Sequence, residues 1–302
     1  SEAVWLAAVK LEWETGEYDR ARVLLQRARE RAPTGRVYMK SALLERELKE
    51  FDTALEFIEE GIGKFPKYEK LYMMGGQICG DDLKQEQRAR DFFQRGLKIC
   101  SSCEVLWILA STLEERYTSV VKARSIFDLS RLKNPKNPEL WVQAIRLERR
   151  SKNEKLAVTL MAKAIQECPN SGLLRAEAII SAPRTEQKSK CAEAIKRCPD
   201  DPVVITAVAT LFATERKYEK ARKWLERSVA LNPDIGDSWA RFYAFELAYG
   251  TVEQQDGVKN RCIQADPKHG SVWCSISKDM DNRKKSVEEI LKLVAQRIGA
   301  KF

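Results

Sequence analysis

The chain is poor in the residues that most enzymes need. It has one histidine, His269, among 302 residues. A Ser–His–Asp triad or a histidine-based metal cluster has nothing to build on, because no Ser or Cys stands at a partner spacing. Glycine-rich phosphate loops are missing as well. Cys100 and Cys103 form a CxxC, but no second CxxC supplies the other two ligands that zinc requires. No run of 18 apolar residues occurs, so no membrane-spanning helix is expected. Alternating β-branched patterns are scarce, which argues against sheets. The first residues, SEAVW, lie inside a repeat and lack a starting methionine. They predict a fragment of a longer protein, with any targeting signal outside it.

What is present is charge and periodicity. Charged residues make up 32% of the chain and hydrophobic residues 44%, with a net charge of +9. That balance predicts a soluble helical surface, open to RNA or an acidic protein. The eight cysteines come with no secretory feature, so a reducing compartment is expected.

The periodicity is about 34 residues. Prolines 33, 66, 135, 169, 199, 233 and 267 mark the joints, with Ser101 standing where another would fall. Six residues after each joint the chain reads Met39, Tyr72, Trp107, Trp141, Arg175, Ile205, Trp239 and Trp273, and Trp5 opens the series. Seven further on, Glu12, Glu114, Glu148 and Glu246 recur. Twelve residues before the joint stand Ala21, Ala54, Ala89, Ala123, Ala157 and Ala221, with Gln187 and Gln255 as exceptions. A second small residue follows seven later, from Ala28 and Gly61 to Ser228 and Cys262. Seven residues are two helical turns, so both share one face and let another helix approach closely. Each period therefore reads as two antiparallel helices, neither long enough to stand alone. The predicted fold is an all-α, right-handed superhelical solenoid of about nine repeats. The expected repeats are 1–33, 34–66, 67–101, 102–135, 136–169, 170–199, 200–233, 234–267 and 268–302. The sixth is four residues short, holds Arg175 in the tryptophan position and breaks at Pro183, so a bend is expected over 170–199.

The Trp-plus-Glu signature, followed by Ala-Arg in the second helix (Ala21-Arg22, Ala89-Arg90, Ala123-Arg124, Ala221-Arg222), resembles the half-a-TPR (HAT) repeat. The tetratricopeptide pattern has Gly and Tyr four and seven residues after the Trp; only Gly76 matches it. ADPKHGSVWCSISKD (265–279), EEILKLVAQRI (288–298) and the NPKNPELW phrase at Asn134 are similar to the C-terminal region of the pre-mRNA-processing factor six family. The resemblance implies a nuclear, non-catalytic protein–protein scaffold in pre-mRNA splicing. It implies proteins of the spliceosomal tri-snRNP as partners and no cofactor. A HAT scaffold of 3′-end formation or ribosome biogenesis is the alternative, as is RNA binding through basic faces.

Among individual residues, Trp5, Trp107, Trp141, Trp239 and Trp273, with Glu12, Glu114, Glu148 and Glu246, are predicted to be structural. Each glutamate is expected to accept hydrogen bonds from a neighbouring helix or an arginine, with peptide binding as the alternative. The basic clusters Arg146, Arg149, Arg150 and Lys152, and Arg216, Lys217, Lys220, Arg222 and Lys223, fit either a solvated helical face or a partner or snRNA contact. Trp13 and Trp224, out of phase with the repeat, are the candidate anchors for a partner if they are not core. Cys100, Cys168 and Cys198 share one phase before the joint and read as small buried hydrophobes.

Overall fold

The computed structural model describes residues 1–299, apart from the side chain of Met280, so the end of the ninth expected repeat, 300–302, lies outside the described residues. The helices are α1 (Glu2–Glu14), α2 (Tyr18–Arg31), α3 (Gly35–Glu47), α4 (Phe51–Lys64), α5 (Glu69–Gln77), α6 (Glu86–Ile99), α7 (Glu104–Tyr117), α8 (Val120–Lys133) and α9 (Pro138–Arg150). They continue with α10 (Glu154–Glu167), α11 (Gly172–Ser181), α12 (Arg184–Arg197), α13 (Pro202–Thr214), α14 (Tyr218–Leu231), α15 (Gly236–Tyr249), α16 (Val252–Ala265), α17 (Ser271–Ser277) and α18 (Val287–Ile298). No strand occurs among the described residues; Ile235 and His269 form one isolated parallel bridge. The chain divides into two compact units, Ser1–Leu160 and Met161–Phe302. The division falls inside α10, ahead of the shortened sixth repeat.

Odd-numbered helices are the first, or A, helices of each pair and even-numbered ones the B helices. Local chemistry sets both ends of an A helix. Asn137 caps α9, its side chain accepting from the amides of Glu139 and Leu140, with Pro138 in the first turn where its missing N–H costs nothing. Asp201 and Pro202 repeat the arrangement on α13. At the other end the chain turns through a left-handed residue: Gly16, Lys49, Lys84, Lys152 and Arg216, with φ of 84°, 64°, 58°, 60° and 59°. The next amide then reaches back to a carbonyl in the last turn, as from Asn153 to Glu148 at 2.8 Å. Four of these five residues carry a Cβ that disfavours this conformation.

The small residues lie where helices touch. Ala21, Ala54, Ala89, Ala123 and Ala221 are fully buried, and so are Ala28, Ser130 and Ser228. In the first unit, a Cβ on Gly61 would stand 2.8 Å from Cβ of Tyr38, and one on Gly96 would stand 2.8 Å from Cβ of Tyr72. Gly75 and Gly76 of α5 lie against the rings of Phe92 and Phe93; a Cβ on Gly76 would come within 2.2 Å of Phe93. Glycine is required there by proximity, not by its backbone angles. The glutamines that break the series, Gln187 and Gln255, are half-buried.

The second repeat departs from the expected register. Tyr38, not Met39, takes the tryptophan-like position: it is 1% exposed, while Met39 is half-buried. Thr34 caps α3 directly after Pro33, whereas Asn137 caps α9 two residues after Pro135. The joint is one residue shorter, so the following helix starts one residue earlier. Seven residues after Tyr38 stands Glu45, a buried glutamate that counting from the proline overlooks.

Candidate interaction surface

The repeated glutamates form clamps between consecutive repeats. Glu148 of α9 is 1% exposed and receives both arms of Arg124 from α8, at 2.6 and 2.7 Å. Glu114 of α7 receives Arg90 of α6 at 2.5 and 3.3 Å. Glu246 of α15 receives Arg222 of α14 at 2.7 and 3.1 Å, and Glu45 of α3 receives Arg22 of α2 at 2.9 and 2.7 Å. In each case the arginine follows the buried alanine of a B helix and reaches the next A helix. The planar guanidinium matches the two carboxylate oxygens, a geometry lysine cannot reproduce. Hydrogen bonding to the glutamate raises all four arginines above their ordinary pKa. Arg90 holds Glu114 below the usual carboxylate range, against burial, and the Thr118 hydroxyl adds to this. Glu12 is only half-buried, and Arg20 approaches it at 3.8 Å.

The aromatic positions have a polar use as well. The indole N–H of Trp107 donates to the carbonyl of Ser101 (2.8 Å), that of Trp141 to Pro135 (2.7 Å) and that of Trp239 to Pro233 (2.8 Å). The Tyr72 hydroxyl donates to Pro66 at 3.0 Å. Arg175, in the sixth repeat, donates from Nε and a terminal nitrogen to Pro169 at 3.2 and 2.8 Å. It is 6% exposed and pairs with Glu193 at 2.8 Å. The substitution of Trp by Arg therefore keeps the bond that satisfies the joint carbonyl. Ile205 cannot donate, and there Arg227 of α14 reaches Pro199 at 3.2 Å. Trp273 is 3% exposed and Trp5 half-buried.

The basic clusters divide by environment. Arg222 is committed to Glu246 and to Glu219 (2.7 Å) and is not a surface cation. Arg150 clamps Glu115 of α7 at 3.0 and 2.8 Å, Arg149 lies 3.9 Å from Glu154, and Lys217 pairs with Glu215 at 2.7 Å. Arg146 is half-buried. Lys152, Arg216, Lys220 and Lys223 are exposed, with no ion pair among the described residues. Trp13 is core, 5% exposed, with its N–H on Glu47 at 3.0 Å. Trp224 is half-buried, its ring centroid 6.1 Å from that of Phe212 and the Arg227 guanidinium 5.7 Å from its own.

All eight cysteines are free. Burial raises the thiols of Cys100, Cys103 and Cys198, and pushes Cys191 to about 11 and Cys262 to about 12. Thiols so shifted are poor nucleophiles at neutral pH. The Cys100 thiol lies 3.6 Å from the carbonyl of Lys67, and that of Cys198 lies 3.5 Å from the carbonyl of Asn170. Cys198 is buried, while Cys100 and Cys168 are half-buried. Among the described residues no group of three His, Cys, Asp or Glu side chains could hold a metal ion. His269 is exposed and joins Asp234, its ring nitrogen meeting the Asp234 carboxylate and its amide the Asp234 carbonyl at 3.0 Å. This ties two consecutive joints together. No helix is long and apolar enough to cross a membrane among the described residues.

Comparison with known proteins adds the family. A family described as "PRP6, TPR-like domain" matches residues 70–294, and one described as "Tetratricopeptide repeat" matches residues 6–69. Pre-mRNA-splicing factor prp1 of Schizosaccharomyces pombe is 42% identical over 283 residues, which are 94% of this chain and 31% of that protein. Pre-mRNA-processing factor 6 of Homo sapiens is 49% identical over 119 residues, 39% of this chain and 13% of its own length. Pre-mRNA-splicing factor 6 of Saccharomyces cerevisiae is 29% identical over 249 residues, 80% of this chain and 27% of its own length. The chain spans less than a third of each of these relatives.

Proposed function

The chain belongs to the PRP6 TPR-like family, and from that premise we propose that it acts as a non-catalytic protein–protein scaffold in nuclear pre-mRNA splicing, holding proteins of the spliceosomal tri-snRNP. The observation that carries this reading is the 42% identity to a splicing factor along 94% of the chain. The structure is in keeping with it. Four bidentate clamps pin a B helix to the A helix that follows it, three in the first unit and one in the second, and each helix pair presents its own outer residues. Arg222 and Arg150, two of the candidate RNA contacts, are engaged with carboxylates. Lys152, Arg216, Lys220 and Lys223 stay open to either kind of partner, which is why the test includes nuclease.

Affinity purification tests it. The tagged chain is incubated with nuclear extract, with and without nuclease, and the bound proteins are identified by mass spectrometry. Tri-snRNP proteins are expected in both samples. Enrichment of 3′-end-formation or ribosome-biogenesis proteins in their place would refute the assignment. Loss of all of them after nuclease would transfer the function to RNA binding.

A further inference from the structure

One B helix differs from the others on its outward face. Counted from the position of the buried alanines (Ala123 in α8, with Gln187 and Gln255 at the same place in α12 and α16), position +6 is charged in each of the seven other B helices aligned from α2 to α16. Four of those residues are arginines: Arg27, Arg95, Arg227 and Arg261. In α8 it is Leu129, 48% exposed. Position −2 is polar in all seven, acidic in four (Asp19, Asp52, Glu219, Glu253), and in α8 it is Val121, 64% exposed. Leu132, 80% exposed, continues the same stripe one turn on. Scattered apolar residues on a surface need no explanation. Val121 and Leu129, which fall on one stripe of one helix at positions charged or polar in all its siblings, do.

That stripe borders a cavity. Between α6, α7 and α8 lies a groove of about 520 Å³, within the size range of binding clefts. Phe93, Leu97, Trp107, Leu113, Ile126 and Leu129 line it. Its two ends differ. At one, Arg90 and Glu114 neutralise each other. At the other stand Lys98 and Lys133, in the last turns of α6 and α8, both exposed and without an ion pair among the described residues. The site thus offers an apolar trough closed at one end by two unpaired ammonium groups.

We infer that this groove and the Val121–Leu129–Leu132 stripe form a docking site for a segment of a partner protein that places two or more apolar side chains beside a carboxylate. The apolar side chains fill the trough over Trp107 and Leu129. The carboxylate meets Lys98 and Lys133, where removal from bulk water strengthens the pairing. The inference rests on the scaffold reading and names one surface through which it operates.

The test uses the 302-residue chain, a displayed library of random 12-residue peptides, and three proteins: wild type, Leu129→Arg, and Lys98→Glu/Lys133→Glu. Leu129→Arg installs the residue that four sibling helices carry, so its thermal melt should match wild type. Peptides enriched on wild type are expected to share clustered Leu, Ile or Phe next to Asp or Glu. They should bind Leu129→Arg and the double charge reversal at least tenfold more weakly, and replacing their acid with Lys should restore binding to the reversed protein. Enrichment of basic peptides, of peptides indifferent to Leu129→Arg, or of none at all would overturn the inference. So would wild-type self-association in sedimentation that Leu129→Arg abolishes, because the face would then serve a second copy. If tri-snRNP proteins still co-purify with Leu129→Arg while the selection fails, the docking site falls and the scaffold reading stands.

Discussion

Removal of Arg124 isolates what a clamp contributes. Glu148 has a side chain 1% exposed, whereas that of Arg124 is 32% exposed. In Arg124→Ala the carboxylate keeps one side-chain donor, Asn153 at 3.2 Å. Stripping one partner from a buried pair costs about 3–5 kcal/mol. Water entering where the part-exposed arginine stood lowers that loss, so about 2–3 kcal/mol is expected. Because a repeat array opens locally, the assay is native-state hydrogen exchange at the amides of α8 and α9, for Arg124→Ala, Glu148→Gln and the double variant. The double variant should lose about 2 kcal/mol less than the two singles together. Additive single effects would refute the account.

Other consequences are as direct. Lys152→Gly relieves a left-handed residue (φ 60°) and should raise stability by up to about 1 kcal/mol in urea titrations, where the same change in mid-helix lowers it. Gly76→Ala forces a Cβ into the Phe93 ring and should cost about 1–3 kcal/mol, seen as faster exchange in α5 and α6. Trp141→Phe keeps an aromatic ring but removes the donor to Pro135 and leaves part of the buried indole's space unfilled, with an expected loss of about 1–3 kcal/mol by the same exchange measurement. Glu114 has a depressed folded-state pKa, so its stabilisation is present above its unfolded value of about 4.5 and is lost as pH falls through the folded one. The stability gap between wild type and Glu114→Gln should therefore close on acidification, and a constant gap would count against it.

Much of the architecture is legible in the spacing of the residues. Proline cannot continue a helix, and small residues seven apart lie on one face; both facts act within one or two turns, so spacing alone reports them. Counting from prolines failed at Met39 and Tyr38 because a cap one residue closer to Pro33 shifts the helix, and such caps compete on small differences. The sixth repeat shows another limit. Arg175 looks like a lost tryptophan, yet it makes the same bond to the joint, because what the position needs is a donor at the right reach. Arg222 belongs to a basic cluster in sequence and to a buried clamp in space, since its partner lies 24 residues away on the next helix.

The period of helix and turn, the small-residue stripes and the glutamate phase were determined by the sequence by itself, since each depends on neighbours a few residues apart. Packing in three dimensions sets which arginine meets which glutamate, which cations remain unpaired and where apolar side chains line a groove. Those outcomes depend on side chains from three helices converging at distances that no local spacing encodes.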